Sequence, residues 1–341
     1  MPTPTHLAWS SAGGVRALDQ TLLPHEERYV DLDTLDALAE AIRSLRVRGA
    51  PLIGIVAAMG VAMEAGGRGG AGPTLEAVRH ACLQLGATRP TAVNLHWALA
   101  RMLRRAEAAA AAGEDLPAAL RGEAQAIWDE DREMCRRIGE LGAPLIPPGA
   151  TICTICNAGA LATGGIGTAL APIYLRHERG EAVHVLVPET RPLLQGSRLT
   201  AWELTRAGVP CTLIADSMIA SRFSRGDVAG AFVGADRIAR NGDFANKIGT
   251  YALALAARAH RVPLYVLAPT STIDPATSDG GAIPIEERAA DEVAGWRSHR
   301  WAPEGVRVWN PAFDMTPASL VTAFVTDRGV VPPGDLARVI D

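Results

Sequence analysis

Lysine is all but missing from this 341-residue chain: of 33 basic residues, only Lys247 is not arginine. A bias that turns Lys into Arg wherever either serves leaves Lys247 marking a place that needs a compact ammonium rather than a planar guanidinium. Cysteine is scarce as well. Five thiols, at 82, 135, 153, 156 and 211, are too few and too scattered for a disulfide framework, and their number is odd. Cys153 and Cys156 form a C-x-x-C, but no second pair and no histidine pair stands at zinc-ligand spacing. On a strand, two thiols three apart face opposite sides, unlike a redox pair that opens a helix. Neither a zinc nor a redox role is expected of the pair.

Further absences narrow the function. The eight histidines are dispersed, and neither an H-E-x-x-H nor a loop ending G-K-S/T occurs, so no metal is expected. Aromatics make up 5 % of the chain, the net charge is −4, and no basic stripe carries interleaved aromatics. Nucleic acid is not expected as a direct partner. No apolar run reaches the roughly 18 residues of a membrane span, so no membrane partner is expected. After Met1-Pro-Thr-Pro-Thr no basic segment precedes an apolar one. No signal peptide is read, and the cytoplasm is the expected compartment.

What is present is a 48 % hydrophobic chain, long for a single core. Two domains are expected, 1–144 and 145–341, with the break at Leu145-Ile-Pro147-Pro148-Gly149. The first 31 residues alternate in short runs and predict a small antiparallel sheet. From Asp33 the period becomes helical, with Asp33 or Thr34 placed to cap. A run apolar on nearly all sides, Leu52 to Ala65, follows Pro51 and predicts a buried helix. A loop over Gly66 to Pro73 and helices over 74–85, 92–112 and 116–141 complete this mainly helical domain. The second half alternates strand and helix, with strands at 151–155, 182–187, 211–214, 231–233 and 264–267. Helices are expected between them at 166–176, 198–207, 218–223 and 247–259. That texture implies an α/β fold with a doubly wound, mostly parallel sheet.

Function concentrates where those strands end. The first runs into Cys156-Asn157, followed by the glycine-rich bend Gly159 to Gly167; the next three end in Glu189-Thr190-Arg191, Asp216-Ser217 and Asp236-Arg237. In an open parallel sheet such ends converge on one crevice. Gly165-Ile-Gly167-Thr-Ala-Leu170 lacks the third glycine of a dinucleotide fingerprint, so NAD is not expected. A phosphorylated small molecule fits better. The bend offers backbone N–H groups, and Arg48, Arg89 and Lys247 stand near predicted helix starts, where forks and an ammonium suit phosphate oxygens. A partly desolvated Asp236 can hold a proton for transfer, with Asp216 as the competing carboxylate. Cys156 is open to several roles: nucleophile, general acid, electrostatic partner, or simply a buried small residue.

Seven segments share an order: Arg48-Gly-Ala-Pro-Leu-Ile-Gly, Cys156-Asn-Ala-Gly-Ala-Leu-Ala-Thr, Glu189-Thr-Arg-Pro-Leu-Leu-Gln195-Gly, Gly234-Ala-Asp236-Arg-Ile, Asn246-Lys247-Ile-Gly-Thr, Ile285-Glu-Glu-Arg288 and Asn310-Pro-Ala-Phe-Asp-Met-Thr-Pro. With them the chain resembles the methylthioribose-1-phosphate isomerase family, the aldose–ketose isomerases of methionine salvage, from near residue 46 to near residue 330. The resemblance implies a Rossmann-like catalytic domain that binds no nucleotide, no metal or cofactor, and a homodimer. It implies Cys156 and Asp236 as the catalytic pair, with Asp236 as proton donor. It also implies substrate contacts from Arg48, Gly49, Ala50, Arg89, Gln195, Asn246 and Lys247. Related activities compete with this expectation: isomerisation of 5-deoxyribose 1-phosphate or of ribose 1,5-bisphosphate. So does a non-catalytic role like that of the translation-initiation exchange-factor regulatory subunits, which share the fold.

Overall fold

The computed structural model describes residues 5–67 and 73–340. Leu7–Trp9 (β1), Val15–Leu18 (β2) and Tyr29–Leu32 (β3) pair antiparallel in the order β1-β2-β3, as the alternation predicts. The switch to helix is made at Thr34, whose hydroxyl accepts from the Ala37 N–H and caps Leu35–Arg43 (α1). Gly49, with φ of 110°, opens Ala50–Ala65 (α2), and Pro51 sits in its first turn, where no N–H is needed. Every residue of α2 from Leu52 onward is buried. It is the core of this half, packed beside Leu75–Gly86 (α3) and Val93–Ala112 (α4). Residues 68–72 of the expected Gly66–Pro73 loop lie outside the described residues, as does the start of the chain through residue 4. Leu116–Gly142 (α5) closes the helical series.

The second half is a seven-stranded sheet built from Thr151–Cys153 (β4), His184–Pro188 (β5), Cys211–Ile214 (β6), Val228–Val233 (β7) and others introduced below. Between β4 and β7 run Ala171–Glu178 (α6), Ala201–Ala207 (α7) and Ile219–Phe223 (α8). After β7 the chain makes a second sheet that the sequence pattern did not predict. Its strands are Arg237–Ala239 (β8) and Phe244–Lys247 (β9), and after Thr250–Ala259 (α9) and Leu264–Leu267 (β10) come Ile273–Asp274 (β11) and later Phe313–Thr316 (β14). The four are ordered β11-β8-β9-β14. Between β11 and β14 lie the short helix Asp291–Ala294 (α10) and a two-stranded hairpin of Gly295–Trp296 (β12) with His299–Arg300 (β13). Ala323–Thr326 (β15) and Gly329–Val331 (β16) return to the large sheet.

The large sheet is ordered β16-β15-β10-β7-β4-β5-β6, all parallel except the β15–β16 pair. From β4 the chain moves outward through β5 to β6, then returns to β7 on the other side of β4 and moves outward again. The strand order therefore reverses between β4 and β7. Ligands of open α/β sheets bind at the carboxyl ends of the strands at such a reversal.

Two compact units divide the chain. One holds the residues up to Arg136 together with Gly159–Gly167; the other holds Arg137–Ala158 and everything from Thr168 onward. The glycine-rich bend after Cys156 thus groups with the N-terminal residues. Its expected helix begins at Ala171 rather than at 166.

Candidate active site

Cys156 and Asp236 follow the two strands that flank the reversal. β4 ends at Cys153, and Cys156 comes three residues later; β7 ends at Val233, and Asp236 comes three residues later. The two ends come close at Gly234, where a Cβ would stand 3.0 Å from the Cβ of Ala158.

Cys156 has a backbone conformation that side chains rarely adopt, with φ of 62°. Its N–H donates to the Thr190 hydroxyl at 2.9 Å, and its carbonyl accepts from the Thr200 hydroxyl at 2.6 Å. Thr190 is itself left-handed, with φ of 63°. Its N–H and that of Arg191 donate to the two carboxylate oxygens of Asp216, at 2.8 and 2.6 Å. That bidentate clamp gives Asp216, read as a rival proton carrier, a structural role. The Asn157 amide donates to Thr200 and to Glu203, a carboxylate with no exposed surface. Thr200 reaches Cys156 from a π-helical turn, Gly196–Thr200, that leads into α7. Gly196 is required there: a Cβ would sit 1.8 Å from the Pro188 carbonyl oxygen. Beside Thr190, burial and the neighbouring Asp216 raise the pKa of Glu189, and Arg191 opposes the shift.

Asp236 is held differently. Its N–H donates to the Ala245 carbonyl of β9 at 2.9 Å, just ahead of β8. The expectation that Lys247 opens a helix is corrected: it ends β9, and α9 starts at Thr250. The run is a strand because Phe244, Ala245 and Asn246 are buried between β8 and β14. The Lys247 ammonium donates to the Ala312 carbonyl at 2.8 Å and lies 4.1 Å from the centre of the Phe313 ring. The Asn246 amide donates to Thr250. Asp314 accepts from the N–H groups of Gly249 and Tyr251, and burial pushes its pKa up to about 6 against those bonds and the Lys247 charge. Gln195 is 6 % exposed, and its buried carbonyl oxygen has no protein partner.

The remaining expected site residues belong to the N-terminal unit. Arg48, Gly49 and Ala50 stand at the start of α2, and Arg89 precedes α4. Gly49 has no room for a side chain, because a Cβ would come within 2.5 Å of the Ala162 backbone. The glycine bend, expected to offer N–H groups to phosphate, spends three of them internally. Gly164 donates to the Asp131 carboxylate at 2.6 Å, and Gly165 and Gly167 donate to the Thr163 hydroxyl. Its glycines serve packing: a Cβ on Gly164 would meet Trp128 at 2.5 Å. Burial of Asp131 raises its pKa to about 6. All five cysteines are free thiols, and burial pushes Cys153 well above its ordinary value. Among the described residues no group of His, Cys, Asp and Glu has the makings of a metal site, and no helix is long and apolar enough to cross a membrane.

Sequence reasoning named Thr190 only as part of a polar strand end and missed Thr200 and Glu203. A buried glutamate three residues after a threonine on one helix was the available signal for the last two. Nothing in the sequence announces the left-handed turn at Thr190.

The chain is 58 % identical over 317 residues to a methylthioribose-1-phosphate isomerase of Anaeromyxobacter sp. (strain K), covering 93 % of this chain and 90 % of that one. The crystal structure of 5-methylthioribose 1-phosphate isomerase from Pyrococcus horikoshii OT3 superposes with a TM-score of 0.89 at 41 % identity, over 98 % of this chain and 96 % of that chain. That of translation initiation factor eIF-2B, subunit delta, from A. fulgidus gives 0.86 at 39 %, over 98 % of both. The profile of the Initiation factor 2 subunit family matches residues 46–333. A match over that much of the sequence, with relatives this similar across nearly its whole length, makes the chain a member of the Initiation factor 2 subunit family.

Proposed function

We propose that this chain isomerises 5-methylthioribose 1-phosphate to 5-methylthioribulose 1-phosphate, an aldose–ketose conversion in methionine salvage. Relatives between 51 and 58 % identical carry that isomerase name. The observation that carries the reading is the position of Cys156 and Asp236, one after each strand at the reversal of the sheet.

The substrate carries its phosphate on the anomeric oxygen, so its ring does not open as that of a free sugar does. The bond between C1 and the ring oxygen must break first. In this reading a protonated Asp236 donates to that oxygen, which becomes the C4 hydroxyl. Hydrogen then moves from C2 to C1 while the C2 hydroxyl returns a proton to the ionised Asp236 carboxylate, leaving a ketone at C2; in this reading Cys156 faces the carbons between which the hydrogen moves. The conversion is redox-neutral within one molecule and balances without an external oxidant. Retention of the C2 hydrogen during turnover in D2O identifies a hydride shift; washout identifies a proton route. Asn246, Lys247 and the unpartnered carbonyl of Gln195 are proposed as substrate contacts beside the pair. Arg48, Gly49, Ala50 and Arg89 are proposed as further contacts on the strength of their motifs.

The test is turnover of methylthioribose 1-phosphate by the purified protein. Cys156→Ala and Asp236→Asn are each expected to abolish it while leaving the melting temperature near that of the parent. Near-normal activity in either variant removes that residue from the chemistry. The likeness to the A. fulgidus subunit favours a second reading, a non-catalytic regulatory subunit, and absence of turnover in the parent protein would select it. 5-Deoxyribose 1-phosphate and ribose 1,5-bisphosphate belong in the same assay. We propose a cytoplasmic homodimer, to be tested by sedimentation.

A further inference from the structure

We infer that Thr190 and Thr200 are positioning residues for the Cys156 thiol, because their hydroxyls hold both backbone polar groups of Cys156 in its left-handed conformation. This rests on the reading that Cys156 takes part in the reaction. Neither hydroxyl bonds the sulfur in the contacts described; each acts on the peptide that aims it.

The roles of the two hydroxyls are fixed by their partners. Thr190 accepts from the Cys156 N–H and donates to the Pro188 carbonyl, 3.2 Å away. Thr200 donates to the Cys156 carbonyl and accepts from the Asn157 amide at 3.2 Å. Both lone-pair and proton capacities are therefore directed, and neither hydroxyl is free to turn elsewhere. The magnitudes make the hydroxyls decisive. A non-glycine residue in the left-handed region costs about 1–3 kcal/mol. Two hydrogen bonds, at about 0.5–1.5 kcal/mol net each, are of the same size. With one removed, the balance tips towards ordinary backbone geometry, which points the Cα–Cβ bond elsewhere.

The frame around the two threonines is built for this. Thr190 is itself left-handed, a rare state for a β-branched residue, and the Asp216 carboxylate pins its N–H and that of Arg191. Thr200 closes a π-helical turn, a form that recurs at functional sites. Gly196 lets that turn pass against the Pro188 carbonyl. Two strained residues, a π turn and a carboxylate clamp thus meet on the backbone of a single cysteine.

Thr190→Val keeps the shape and the β-branching and deletes only the hydroxyl. It is expected to lower kcat about 100-fold, the cost of an ångström-scale misplacement, with KM unchanged. Thr190→Ser restores the hydroxyl and is expected to restore kcat, a rescue that a packing role would not give. Thr200→Val is expected to behave as Thr190→Val, and carries the test if that variant does not fold. Parental kcat in Thr190→Val and Thr200→Val, or a loss that Thr190→Ser shares in full, overturns the inference. Cys156→Ala separates the two levels. If it is inactive while both valine variants are normal, only the positioning role fails; if it is active, the catalytic reading fails with it.

Discussion

Cys156 and Asp236 occupy matching places in the sheet, yet they are held by different means. The backbone of Cys156 is strained and tied by side chains: two threonine hydroxyls directly, and Asp216 behind one of them. The backbone N–H of Asp236 is tied to main chain, at the Ala245 carbonyl of β9. A hydroxyl can be deleted by one substitution; a backbone-to-backbone bond survives almost any. The backbone that carries the thiol is accordingly the vulnerable one of the two, and the backbone that carries the carboxylate the robust one. Nearby, Asp314 holds the start of α9 beyond Asn246 and Lys247, and Asp274 pairs with Arg237 at 3.3 Å.

The sharpest way to break the thiol side is Gly196→Ala. A methyl group 1.8 Å from a backbone oxygen cannot be absorbed by a rotamer change, so the π turn must move and take Thr200 with it. Overpacking of this kind costs upwards of about 3 kcal/mol, which lowers the melting midpoint by about 10 °C in a unit of this size. Loss of turnover should accompany it. An unchanged midpoint in calorimetry would show that the turn is not tightly fixed.

A smaller effect tests the clamp on the carboxylate side. The Asp314 pKa is raised in the fold, so the native state binds the proton more tightly than the unfolded chain does. The sign follows: its contribution to stability is fully present below the unfolded carboxylate value of about 3.9 and is lost as pH rises through about 6. Buried Asp131, also at about 6, acts in the same direction. Asp314→Asn is expected to flatten the fall in melting temperature between these two pH values without changing the fold. An Asn variant with the parental pH slope would show that Asp314 titrates normally.

The smallest effect should come from Asp274→Asn. It weakens the ion pair to Arg237, next to Asp236, and leaves the backbone bond from Asp236 to Ala245 intact. Partly exposed pairs of this kind contribute about 0–1 kcal/mol, so kcat is expected to stay within about threefold of the parent. A loss comparable to that of Thr190→Val would show that the Asp236 backbone depends on this ion pair as Cys156 does on its hydroxyls, and the contrast between the two residues would disappear.

Much of this was legible before any coordinates. Period set the helices of the first half, since apolar spacing, the cap at Thr34 and the first-turn Pro51 are local properties. Alternation and polar strand ends located the candidate residues, and Cys156 and Asp236 stood out because a thiol and a carboxylate closed apolar strands. The second sheet was not legible. Lys247 looks like the start of a helix until β8 and β14 flank its strand, and β14 lies far along the chain. The glycine bend misled for a similar reason. Glycines with free N–H groups and glycines packed against Trp128 and Asp131 look alike in sequence, and only the neighbours distinguish them.

By itself, then, the sequence determined the fold class, the alternation of elements and the chemical identities at the strand ends. These depend on local propensity and on burial pattern, which each segment carries with it. The tertiary structure alone decided that the strand order reverses between Cys156 and Asp236. It also decided that Cys156 is left-handed, and that Thr190, Thr200 and Asp216 hold it there. Those features depend on hydrogen bonds between residues 25 and more positions apart, and no local pattern encodes a partner at that range.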